Sequence, residues 1–157
     1  MTQQLMDSVR FEGERFQTFS TPLWDYFIQS GQQPPFKVVM TCLWRGHIAS
    51  WEIIDQRLYL TGLTGTLRDG TEASLKTFFP SSDGHVFAEW YSDILRCPFG
   101  KLLKYAHGGG TYEFEHHFDI QEGVIQRHWK VDNRPKNEIK LAEGRMLIGG
   151  FIFQALK

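Results

Sequence analysis

The side chains most able to do chemistry cluster in one stretch, Tyr112 to Val131, which holds His116, His117 and His128 together with Glu115, Asp119 and Arg127. If Glu122-Gly123 is a two-residue turn, the segment is a β-hairpin in which Ile120 faces Ile125, Phe118 faces Arg127 and His117 faces His128. Directly opposed residues have Cβ atoms ~5 Å apart. Two imidazoles at that spacing, flanked by Glu115 and Asp119, suit a divalent metal. The competing reading is a solvated polar face on which Glu115 pairs with Lys130. In the same register His116 and Arg127 point the other way, onto an apolar stripe with Phe114, Phe118 and Trp129. A buried imidazole needs partners for its nitrogens, and most buried polar groups have them. A guanidinium on that stripe implies an opening to solvent, an acidic partner such as Glu52 or Glu89, or a cavity wall. Arg45, Arg96, His107, His116 and Arg127 are therefore candidates for binding a small anionic or aromatic ligand.

Other patterns carry less. His107-Gly-Gly-Gly-Thr111, with Lys101 and Lys104 upstream, offers backbone amides to a phosphate. It matches neither the P-loop nor the dinucleotide pattern, and a hairpin connection is the better reading. No Ser, Cys or Thr stands in a nucleophile elbow or triad pattern. Cys42 and Cys97 lie far apart and outside metal or redox spacing, so two reduced core thiols are expected, and no cofactor is implied. Trp44, Trp90 and Tyr91, with Arg45 and Arg96, have the residue types that dominate protein interfaces, although the rings serve equally to fill a core.

The elements that must hold these residues are mostly strands. Aromatic residues make up 15% of the 157, which favours pleated, half-buried surfaces. A hydrophobic share of 41% and a charged share of 22% supply one core, and the chain reads as a single globular domain over 1–157. The net charge of −1 leaves no basic footprint for nucleic acid. A polar start, Met1 to Phe16, and the lack of any membrane-length apolar run predict a cytoplasmic protein with no membrane role.

Along the chain, Val9–Glu12 and Arg15–Phe19 form an expected hairpin around Gly13-Glu14, and Pro22–Gln29 an amphipathic helix ended by Gly31 and Pro34-Pro35. The apolar run Phe36–His47 reads as a buried strand. A turn at Asp55-Gln56 sets Ile53 against Leu58 and Trp51 against Leu60, giving one apolar face. Glu72–Phe79 suggests a short helix. Val86–Arg96 suggests a strand whose Glu89 and Asp93 fall among its apolar positions, as at a bulge or a functional face. Met146–Phe153 suggests a last strand. The fold class is thus mainly β, an antiparallel sandwich or partly closed barrel with one or two short helices, the alternative being α+β.

The segments Trp44-Arg45-Gly46, Trp51-Glu52-Ile53 and Leu95-Arg96-Cys97-Pro98-Phe99-Gly100-Lys101-Leu102-Leu103 resemble a group of small bacterial proteins. That resemblance implies a bacterial setting and brings no activity, ligand or catalytic residue. Three functions follow as expectations: a non-catalytic binding protein acting on a protein partner, as an antidote, accessory or defence component; a small-ligand binder using a β-barrel or sandwich cleft; and a metal-dependent hydrolase built on His117 and His128.

Overall fold

A computed structural model describes residues 4–106 and 109–135; His107 and the expected strand Met146–Phe153 lie outside the described residues. The fold is mainly β, as expected, and the described residues form nine strands in one mixed sheet and two short helices. No helix among the described residues is long and apolar enough to cross a membrane.

Three tight hairpins belong to the sheet, and each turns on two residues of positive φ: Glu12-Gly13, Asp55-Gln56 and Glu122-Gly123. That backbone has the right-handed twist that tight hairpins require. In the first, β1 (Asp7–Phe11) pairs with β2 (Glu14–Thr18) so that Val9 meets Phe16. The turn sits one residue earlier than expected, because it puts glycine second in the loop, as in the third hairpin. In the second, β3 (His47–Ile54) and β4 (Arg57–Thr66) have the expected register, Trp51 opposite Leu60 and Ile53 opposite Leu58. The pairing shifts between Ser50 and Trp51, where a bulge interrupts the ladder. β3 also runs parallel to β1, so the sheet is mixed.

The third hairpin corrects its expected register. Ile120 of β8 (Thr111–Gln121) meets Ile125 of β9 (Val124–Asp132), but a shift between Asp119 and Ile120 then sets Asp119 against Arg127, Phe118 against His128 and His117 against Trp129. Side chains alternate faces along a strand, so one extra residue moves the rest of a strand to the opposite side. His117 and His128 are therefore not neighbours.

Two further expectations fail for local reasons. Phe36–Gly46 is an irregular loop, with a single bridge between Phe36 and Leu67. The loop folds back so closely that a Cβ on Gly46, whose φ is +77°, would lie 2.6 Å from Phe36 Cβ. The expected strand Val86–Arg96 is two strands, β6 (Val86–Phe87) on β4 and β7 (Asp93–Lys104) on β8, separated by a turn where Tyr91 N–H donates to Ala88 O. That break explains why Glu89 and Asp93 do not fit one face. Helix α1 (Pro22–Gln29) forms as expected and buries Leu23 and Phe27. Of the expected helix Glu72–Phe79, Glu72–Ala73 is a short strand, β5, on β4, and only Leu75–Phe78 is helical, as α2.

Among the described residues the strand order is β2-β1-β3-β4-β9-β8-β7, with β2 and β7 at the edges. The sheet is not closed into a barrel, yet it curls until its edges meet. Phe19 N–H and the Thr18 hydroxyl both donate to Arg96 O, at 3.0 and 2.7 Å, and the Ser20 hydroxyl donates to Ile94 O at 3.3 Å. Val9, Phe16, Trp51, Leu58, Leu60, Leu95, Phe118 and Ile120 fill the inside, and α1 covers one end with Leu23 and Phe27. Burying such side chains stabilises by roughly 1.5–3 kcal/mol each. Beyond the seam the edge strand β7 continues to Lys104, with Leu102 and Leu103 exposed.

Candidate functional site

A buried carboxylate organises one end of the sheet. Asp7, fully buried at the start of β1, accepts from Arg45 Nη2 at 2.6 Å, from the backbone N–H of Ala49 at 2.9 Å and from Trp51 Nε1 at 3.1 Å. These contacts tie β1 to β3 and to the loop before β3. Three donors on the carboxylate offset the cost of burying its charge, although Arg45 Nε is buried with no hydrogen-bond partner among the described residues. Beside it His47, also fully buried, lies against Phe36 and Trp24, with Nδ1 3.2 Å from Arg45 O. Its Nε2 has no partner. Burial pushes the imidazole down to about 4, against the opposing pull of the Asp7 charge.

The loop held by this anchor presents apolar side chains outward. Leu5 N–H donates to Cys42 O, Trp44 N–H to Gln4 Oε1, Gln4 Nε2 to Thr41 O and Arg45 Nη1 to Leu5 O, all within 2.9 Å. Leu43 is buried, and Leu43 N–H closes a turn on Met40 O. Around these fixed points Leu5, Val38, Val39, Met40 and Trp44 stand 41–54% exposed. Large apolar side chains gathered on one held loop mark an interaction surface more often than scattered ones do. Of the residues expected at an interface, Trp44 is here. Tyr91 is buried, and Trp90 is half-buried, donating through Nε1 to Pro22 O and stacked on Phe79.

The residues expected to share a ligand pocket are dispersed. Arg45 is paired with Asp7, as above. Arg96 lies on the other side of the sheet, with Nη2 2.9 Å and Nε 3.0 Å from Glu115 Oε1 and its guanidinium over the Phe19 ring. Glu115 also accepts from His117 Nε2 at 2.9 Å and Asn133 Nδ2 at 3.2 Å. Burial raises its pKa, but the hydrogen bonds from His117 and Arg96 and the Arg96 charge outweigh that and hold the carboxyl below its usual range. Arg127 is exposed, 3.7 Å from Asp119 and over the Trp129 ring. His116 and Arg127 therefore do not share a face.

His116 instead meets His128, Nδ1 to Nε2 at 2.9 Å, so one ring donates and the other accepts. Phe99 stacks on His116 and Phe118 on His128, with the edges of Phe16 and Phe11 closing the cluster. Partial burial lowers both pKa values, helped at His116 by the His128 and Lys130 charges and opposed by Glu12 and Glu14; Glu12 opposes it at His128. Because His117 turns to Glu115 on the opposite face, the expected His117–His128 metal pair does not form, and no group of three or more His, Cys, Asp or Glu side chains able to hold a metal occurs among the described residues. Cys97 is buried, its thiol pushed up to about 12 by burial, and Cys42 is partly buried; both are free thiols.

Sequence reasoning found Trp44 but missed Leu5, Val38, Val39 and Met40. Their one readable signal is that Val38-Val39-Met40 follows Pro34-Pro35 without the alternation of a half-buried strand. Nothing local singles out Asp7. Comparison with known proteins finds no family model matching the chain, and no curated protein or solved structure with significant similarity to it.

Proposed function

We propose that the chain is a non-catalytic binding protein of the bacterial cytoplasm that acts through a protein partner, as an antidote, accessory or defence component, and docks through the Trp44 loop. The observation that carries this reading is a loop pinned to the buried Asp7–Arg45 pair while five large apolar side chains around it remain 41–54% exposed. A surface already ordered before binding avoids the cost of freezing its side chains, about 0.5–1.5 kcal/mol each. An exposed indole of this kind is a common source of binding energy. The partner that fits presents an apolar hollow able to receive Trp44. Catalysis gains no support, since Arg45, Arg96 and His117 are each engaged with an internal carboxylate.

The test is photo-crosslinking in the native host, with a photoreactive residue in place of Trp44 and, as a control, in place of the exposed Lys76. One dominant protein adduct is expected at position 44, absent at 76 and abolished by adding Val39→Asp. Val39→Asp should change folding stability by no more than about 0.5 kcal/mol. Adducts that are equal at both positions, or that survive Val39→Asp, overturn the reading.

A further inference from the structure

The outer face of β1, β2 and β3 carries a polar cleft that the docking loop does not use. Arg10 of β1 stands directly opposite Arg15 of β2, and Ser8 and Arg10 face Ser50 and Glu52 of β3. Their neighbours Val9, Phe16 and Trp51 point into the core, so these polar side chains share the solvent side. Ser8, Arg10, Arg15, Ser50, Glu52 and Thr61 line a cleft of about 200 Å³, together with the backbone of Trp51. At the bulge after Ser50 the Thr61 hydroxyl donates to Ser50 O at 3.1 Å.

Like charges directly opposed across two strands destabilise the pair. Arg10 and Arg15 are opposed in this way, and neither forms an ion pair with a carboxylate among the described residues; Glu52, in the same cleft, is 3.9 Å from His85. Two forked guanidiniums with hydroxyls beside them complement a planar or tetrahedral oxyanion, which each can bind with two parallel hydrogen bonds. Such a ligand would relieve the repulsion between the two opposed guanidiniums. We infer that this cleft binds a small oxyanion, a carboxylate or phosphate group, between Arg10 and Arg15.

Calorimetric titration at constant ionic strength tests this, with inorganic phosphate and succinate as separate probes and chloride as the control. Saturable binding of phosphate or succinate, but not chloride, is expected, and the tighter of the two identifies the oxyanion. Arg10→Gln and Arg15→Gln should each weaken it by about tenfold or more, the loss of roughly one charged hydrogen bond. Glu52→Gln should tighten it by removing the one negative charge in the cleft. Both arginines are exposed, so a thermal melt confirms that the variants remain folded. Failure of both probes to saturate, or binding that is unchanged in Arg10→Gln and Arg15→Gln, overturns the inference.

Discussion

Asp7 and His47 set the residue-scale energetics of the end that carries the docking loop. Asp7→Asn leaves the Arg45 guanidinium, only 13% exposed, without a counter-charge. Removing one partner of a buried pair costs about 3–5 kcal/mol. Denaturant unfolding of Asp7→Asn should show that loss, and adding Arg45→Met should recover part of it; a loss below about 1 kcal/mol would mean that solvent already screens the pair. His47 makes stability depend on pH. Its pKa falls from 6.5 to about 4 on folding, so between those values the unfolded chain binds a proton that the folded chain does not. The stabilisation is complete above pH 6.5 and is lost as pH falls toward 4, by roughly 3 kcal/mol. His116 and His128, lowered in the same direction, steepen the fall. Urea unfolding across this range should give a clearly shallower slope for His47→Gln than for the parent, and equal slopes would remove His47 as the cause.

At the scale of elements, turns were easier to read than registers. Asp55-Gln56 and Glu122-Gly123 were legible because apolar residues alternate on both sides of them. Asp55 and Gln56 both adopt positive φ, at 49° and 64°, which costs a non-glycine residue roughly 1–2 kcal/mol. Gln56→Gly should therefore raise stability by about 1 kcal/mol, seen as a higher melting temperature; no rise would mean that the Gln56 side chain offsets the strain. The shift at Asp119 was not legible, because an unbroken ladder pairs Phe118 and Trp129 on one apolar face equally well. The shifted register stacks the exposed His128 on the buried Phe118 and lays Arg127 over Trp129 on the opposite face. Those contacts involve residues that either face can hold, so alternation alone does not choose between them. Phe36–His47 misled for another reason: Phe36 and Leu43 are buried while Val38, Val39, Met40 and Trp44 stay exposed on a loop held by Asp7 and Gln4, residues distant in sequence.

Over the whole molecule, strand content and class were legible, while the order of the strands and the meeting of β2 with β7 arise from long-range pairing. The seam rests on a few hydrogen bonds around Thr18, Ser20 and Arg96, whereas β3 and β4 share a long ladder. Hydrogen exchange should find the Phe19 amide opening well before the amides that pair β3 with β4, and Thr18→Val should speed it further. Equal protection would mean that the sheet opens only as a unit.

The outer half of β7 bears on how copies of the chain behave toward one another. A sheet edge with exposed Leu102 and Leu103 is a template on which a second chain can add its own edge. Lys101 and Lys104 flank those leucines, so two such edges approaching each other bring like charges together. With a net charge of −1 the molecule as a whole supplies almost no mutual repulsion. Colloidal stability thus depends on two local lysines and weakens wherever salt shortens the reach of their charge.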